Sequence, residues 1–269
     1  MAQRNQRRER RIARHIRLAA SHERALAHDL RKIFARAGRV AAAHVATGQD
    51  HLAVAVVAGF EPAIAKALRA RLQVSAMASA ELVLEELTGG KALGALFEPT
   101  GKPALELKLL SLFDVAERTV VDWLSHHAAE MVQRVSQSLK RLIRGSLKRG
   151  KEANEPPRVL ARRMRDETGG KIGQKRALGI ARTETHTATQ VGSEAAAQAT
   201  GLALDKEWGA TEDARTRPAH AEADGQTVDK DADFVVGGEH LRFPGDPRGS
   251  AGNIINCRCV ALWVPRIPK

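Results

Sequence analysis

Tyrosine is absent from these 269 residues, and all aromatics together make up only 3% of the chain. A nucleic-acid surface made of base-stacking platforms has almost nothing to build with, so any such binding must run through charge. There are only two cysteines, which excludes a disulfide-built secreted scaffold. No apolar run approaches the roughly 18 to 20 residues that span a bilayer; the best, Leu52 to Phe60, is bounded by His51 and Glu61. The Arg-rich N-terminus has no apolar stretch followed by a small-residue cleavage site, so no secretory signal is expected. These absences lead us to expect a soluble protein with no membrane partner, made in a reducing cytoplasm. With 43% hydrophobic residues the chain is no disordered tail, and its length allows one large or two modest domains.

Acidic residues are the scarcer sign, 31 against 43 Lys and Arg, for a net charge of +12. The excess sits in two blocks. Residues 1–40 hold 12 basic and 3 acidic side chains, and residues 134–176 hold 14 and 4. Concentrated cations draw polyanions such as DNA through phosphate neutralisation and counterion release, although an Arg-rich helix is also what a solvated face looks like. The candidate DNA contacts lie in the second block: the stretch around Lys140, with Arg141, Arg144, Lys148, Arg149, Arg162 and Arg163.

Helix is expected over most of the first 200 residues. Gln6 to about Ala37 has no Gly or Pro, with Gly38 as its expected end. His51 to Leu87 is helical with a break near Gly59 and Pro62 and a double stop at Gly89 and Gly90, and Leu93 to Pro103 is a loop. Phe113, Ala116, Val120, Leu124, Ala128, Met131, Val135, Leu139 and Leu142 recur at steps of three and four, marking one long amphipathic helix. Gly150 to Pro157 breaks the chain. A helix from Pro157 or Arg158 to Glu167 is closed by Gly169 and Gly170, and another from about Gln174 to Thr200 is stopped by Gly201.

Beyond Gly201 the turn pairs Asp224-Gly225 and Gly237-Gly238, then Pro244-Gly245-Asp246-Pro247 and the apolar run Val260 to Val264, point to short strands and loops. The expected fold is mainly α, an extended helical body with a small α+β C-terminal module. Its expected divisions are a basic helical region over 1–110, the long amphipathic helix and basic linker over 111–174, and the C-terminal module over 175–269.

That module gathers chemically capable side chains: Trp208, Asp213, Arg215, Arg217, His220, Asp224, His240, Asp246 and Asn256-Cys257-Arg258-Cys259. An extended backbone puts Cys257 and Cys259 on one face and Arg258 on the other. The thiols are either small buried hydrophobes or a metal pair completed by His220 or His240. His126, His127 and Glu130 on the long helix, and Arg182, Glu184 and His186 on a later one, read as packing or ion-pair sets. Neither Gly90-Lys91 nor Gly101-Lys102 belongs to a phosphate-binding loop.

Ile180-Ala181-Arg182-Thr183-Glu184-Thr185, then Trp208, then Asp213-Ala-Arg215-Thr-Arg217-Pro-Ala-His220 with Asp224-Gly225, then Phe243-Pro-Gly-Asp-Pro and Asn256-Cys257-Arg258-Cys259 resemble, in order and spacing, the phage Mu F-like head morphogenesis (minor head protein) family. The resemblance covers Leu178 to Val264, and the first 110 residues carry no recognisable motif. It implies a non-enzymatic virion protein of the capsid interior, associated with the portal protein or the major capsid protein and with packaged double-stranded DNA, assisting head assembly and DNA packaging or delivery. Many members carry a Cys-x-x-Cys pair where this chain has Arg217-Pro-Ala-His220, which with the terminal Cys-x-Cys makes a four-thiolate zinc site. Here only His220 can substitute, and Arg217 cannot ligate. No cofactor is required on this reading; zinc is the one candidate, on His220, His240, Cys257 and Cys259. Trp208, Asp213, Arg217, His220, Asp224, Asp246, Asn256, Cys257 and Cys259 are expected to form a structural cluster, with Arg217, His220 and Asp224 bonded to one another. The alternative is a metal-dependent nuclease using His220, Asp224, His240 and the cysteines.

Overall fold

A computed structural model describes residues 2–88, 102–211 and 213–266. The chain is mainly α with a few short antiparallel strands near its C-terminus. Helix α1 (Ala2–Ala46) is followed by α2 (Asp50–Ala55), a 3-10 turn at Val56–Phe60, α3 (Glu61–Thr88), α4 (Lys102–Glu152), α5 (Pro157–Gly169) and α6 (Lys171–Ala199). The loop expected over Leu93 to Pro103 and the stop at Gly89 and Gly90 lie outside the described residues, except that Lys102 and Pro103 already belong to α4.

Periodicity decides which helical faces are inside. On α1, Leu26, Leu30, Phe34, Ala37, Ala41 and Val45 are fully buried, and on α4 the residues from Ala116 to Leu142 that recur at helical spacing are buried in the same way. Each large side chain so removed from water contributes about 1.5–3 kcal/mol.

Gly38 does not end α1. A Cβ built on it would lie 1.7 Å from Thr168 Oγ1, so the glycine is there to let α5 approach, and the helix runs eight residues past it. Gly150 acts alike: its Cβ would stand 2.2 Å from Leu160 Cδ1, and α4 continues to Glu152 before the break. Pro157 opens α5, where its missing N–H costs nothing. Gly201, with φ +65°, follows the end of α6 as expected.

The helical run Asp50–Thr88 is, by length and composition, able to cross a membrane, which corrects the reading of the sequence by uninterrupted apolar residues alone. Its Ile64, Leu68, Leu72, Ala76 and Ala80 are buried in the protein, while only 22% of its most apolar 18-residue window is.

The C-terminal module is built on three antiparallel strands in the order β2 (Thr227–Asp229), β1 (Leu204–Gly209), β5 (Val260–Pro265), beside a hairpin of β3 (Phe234–Val236) and β4 (Glu239–Leu241). Gly237 and Gly238 both take positive φ, the demand of a two-residue hairpin turn. Trp208 stands opposite Ala261 and Lys206 opposite Trp263. Two short helices complete it, α7 (Pro218–Glu222) and α8 (Ala251–Ile254). Its core comprises Trp208, Ala210, Ala223, Phe234, Val236, Leu241, Cys257 and Cys259.

Contacts sort the chain into two compact units: Met1–His22 with Leu72–Trp123 and Thr183–Lys269, and Glu23–Arg71 with Leu124–Arg182. The four long helices α1, α3, α4 and α6 contribute to both. In the first unit α6 is tied to β5, with Gln190 Oε1 accepting from the Ala261 amide at 3.0 Å and Trp263 Nε1 donating to Ser193 Oγ at 2.8 Å.

Candidate functional sites

The C-terminal module converges on His220. Pro218 starts the single turn of α7, which presents this imidazole inward, edge-on to Trp208 at 5.6 Å. Cys259 Sγ lies 3.4 Å and Cys257 Sγ 3.7 Å from its Nδ1, and all three residues are buried. Nε2 faces Asn253 Oδ1 at 3.3 Å, while Asn253 Nδ2 donates to the Val236 carbonyl at 3.2 Å. Hydrogen bonding with Cys259, reinforced by burial, pushes the Cys257 thiol up. The bond from Cys257 draws the Cys259 thiol down. The segment 257–259 lies outside any strand, yet Arg258 turns the opposite way to the thiols and clasps Asp213 through two bonds of 2.6 and 2.7 Å. That clasp, with the Arg215 amide, holds the Asp213 carboxyl below its ordinary range.

Other expected members of this cluster are elsewhere. Arg217 donates to the Ile255 carbonyl. Asp224 accepts from the Ala210 amide and from Arg8, both at 2.6 Å. Arg217, His220 and Asp224 are therefore not bonded to one another, because each has a nearer partner. Asp246 caps its own turn, accepting from the amides of Arg242 and Arg248 at 2.8 and 3.0 Å. Asn256 takes φ +57° and its amide donates to Thr183 Oγ1. His240 is exposed on β4. Among the described residues, the metal-capable trio here is His220, Cys257 and Cys259, so the nuclease set with Asp224 and His240 is not assembled.

One buried residue of the module, Lys206, escaped the sequence reading. Lys206 is fully buried, its Nζ donating to the Arg242 carbonyl at 2.7 Å and lying 5.3 Å from the Phe234 ring centre; desolvation lowers its pKa. Alternation with Leu204 and Trp208 on β1 was the available signal. Buried His186 packs against Gly245, whose added Cβ would stand 2.6 Å from its Cδ2. Burial lowers this imidazole to about 4, against the favourable Pro244 carbonyl.

The cations divide just as sharply. Glu23–Arg71 with Leu124–Arg182 holds 23 Lys and Arg against 9 Asp and Glu, a net +14, whereas the other unit holds 20 against 22, a net −2. Within that near-neutral unit three of the first basic residues face carboxylates, Arg8 on Glu207 and Asp224, Arg11 on Glu86 and Arg14 on Glu85, while Arg7, Arg10 and Arg17 are exposed without a described carboxylate partner. In the cationic unit Lys140 faces Glu61, Lys148 faces Glu152, Arg149 faces Glu167, and Arg163 faces both Glu155 and Glu167. Arg141, Arg144 and Arg162, with Arg158 and Arg165, are exposed and have no carboxylate partner among the described residues. Arg176, half-buried, donates to Ser138 Oγ at 3.1 Å, and its pKa is lowered by desolvation and then by the charge of Arg141. Of the sequence candidates, then, Arg141, Arg144 and Arg162 are free to meet an anion, while Lys140, Lys148, Arg149 and Arg163 are engaged. Glu130 pairs loosely with Arg134, and Arg182 with Glu23 at 3.0 Å.

No solved structure matches the chain. Over 109 residues it is 38% identical to a protein of Enterococcus faecalis (strain ATCC 700802 / V583) named NAD(+)--arginine ADP-ribosyltransferase EFV, a match covering 39% of this chain and 22% of that protein. The chain thus spans about a fifth of that relative's length. The family model of Phage Mu protein F like protein matches residues 137–262, a stretch that holds the unpaired cations of α4 and α5, all of α6 and the His/Cys module. That stretch is just under half of the chain, and over it the chain is similar to the Phage Mu protein F like family.

Proposed function

We propose that this chain is a non-enzymatic phage minor head protein that assists head assembly and DNA packaging or delivery. It is made in the host cytoplasm and carried in the capsid interior, against the portal protein or the major capsid protein. Its cationic unit holds double-stranded DNA by the phosphate backbone without sequence preference. The observation that carries the DNA contact is the segregation of charge: a net +14 on one compact unit, with Arg141, Arg144, Arg162 and Arg165 exposed and unpaired by any described carboxylate. A family of phage head morphogenesis supports the setting. The scarcity of aromatics supports indifference to sequence, since there is little to stack on a base.

Probing washed, DNA-filled particles with an antibody against this chain tests the setting. Presence of the chain supports a virion component, and its absence from particles assembled in cells that make it contradicts one.

A further inference from the structure

The donors in the C-terminal module do not match the four-thiolate arrangement that the family resemblance implies. Arg217 stands where a thiolate would be, turned onto the Ile255 carbonyl. What the module offers is one nitrogen and two sulfurs. We propose that His220, Cys257 and Cys259 form a three-donor zinc site, with the imidazole bound through Nδ1 and its orientation set by Asn253. This inference stands apart from the DNA-binding reading and does not depend on it.

The spacing fits a metal. With zinc–nitrogen bonds of 2.0–2.1 Å and zinc–sulfur bonds of 2.3 Å, tetrahedral angles put nitrogen and sulfur about 3.6 Å apart. The two separations here are 3.4 and 3.7 Å. A neutral imidazole nitrogen has one lone pair and satisfies one S–H donor, yet both sulfurs lie within reach of it. Two sulfurs converging on one lone pair is the arrangement a shared cation produces.

The tautomer fits as well. Asn253 Nδ2 donates to the Val236 carbonyl, which leaves its Oδ1 to face His220 Nε2. Nε2 must then carry the proton, and Nδ1 presents its lone pair to the sulfurs. Two thiolates would neutralise a divalent ion, so burial of the loaded site leaves no uncompensated charge. Trp208, stacked edge-on against His220, and Phe234 beyond it form an apolar wall. Zinc here would clamp α7 to the segment leading into β5.

The test uses the 269-residue chain purified under reducing conditions. Elemental analysis after dialysis against a weak chelator should find one zinc per chain, and replacing zinc with cobalt should give a thiolate-to-cobalt charge-transfer band with intense visible bands of tetrahedral coordination. His220→Ala, Cys257→Ser and Cys259→Ser should each lose the zinc, and His240→Ala should keep it. Asn253→Ala should weaken zinc binding about 10- to 100-fold while keeping the charge-transfer band, as expected of a positioning residue. If the ligand variants do not fold, the wild-type cobalt spectrum decides alone. A folded wild-type chain that retains no zinc and shows no charge-transfer band would overturn the proposal. DNA binding measured on the same sample is expected to be independent of zinc content, so either idea can fail without the other.

Discussion

Arg8 and Asp224 are 216 positions apart in the chain and 2.6 Å apart in space. The same guanidinium reaches Glu207 and the Trp208 carbonyl, so the start of α1 is fastened to the strand and turn that frame the His/Cys module. Ile12 continues the contact, packing with Val260 and Leu262. Arg8, Arg11 and Arg14 of the first basic stretch are thereby part of a fastening, whereas Arg7, Arg10 and Arg17 are exposed with no described carboxylate partner.

Replacing Arg8 by Ala should cost about 1.5–3 kcal/mol, the range for hydrogen bonds to charged groups, because Asp224 and Glu207 are left half-buried without a cation. Chemical denaturation would read the loss, and hydrogen exchange should localise it to the first turns of α1. DNA affinity should change little, since this arginine is already occupied.

Two glycines of α6 should respond in opposite directions. A Cβ at Gly192 would lie 1.9 Å from the Ala76 carbonyl oxygen, which is backbone and cannot rotate aside, whereas nothing approaches within 4 Å of one at Gly179. Gly192→Ala should therefore destabilise by about 1–3 kcal/mol through overpacking. Gly179→Ala should stabilise by about 0.5–1 kcal/mol through helix propensity. Paired melting curves would show the contrast.

His186 makes stability sensitive to acid. Desolvation lowers its folded pKa to about 4 from an ordinary 6.5, so between those values the unfolded chain binds the proton that the folded chain refuses. Its contribution is intact above pH 6.5 and erodes as pH falls towards 4, by about 3 kcal/mol in all. The charge of His220 acts in the same direction and the Pro244 carbonyl against it. Stability measured across this range should flatten in His186→Leu; an unchanged slope would assign the acid sensitivity to other groups.

Arg149 and Arg163 should behave as structural arginines. Both hold Glu167, and Arg163 also holds Glu155, across the turn between α4 and α5. Their replacement by Ala should lower the melting temperature more than replacement of Arg141 and Arg144, which pair with no described carboxylate. Thermal denaturation of the two double variants compares them directly.

Elements that depend on local pattern were legible in the sequence. The buried stripe of α4 recurs at helical spacing, the Gly237-Gly238 pair supplies the positive φ of its hairpin, and Gly201 marks the end of α6. What depends on a distant partner was not. Gly38 reads as a helix stop until Thr168, 130 positions later, is seen against it. The arginines look alike in sequence, yet Arg149 is engaged and Arg144 is not, because Glu167 comes within reach of Arg149 only when α4 and α5 pack. Arg217, His220 and Asp224 share a short segment, but each turns to a partner outside it.

The sharpest check on the DNA contact is the salt dependence of duplex binding by the 269-residue chain. Two unrelated duplexes of equal length should bind alike and weaken steeply as salt rises, and the Arg141→Ala, Arg144→Ala, Arg162→Ala, Arg165→Ala variant should lower the slope of log affinity against log salt by up to about 4. An undiminished slope in that variant, with its fold intact, would contradict the assignment of these cations to the DNA backbone.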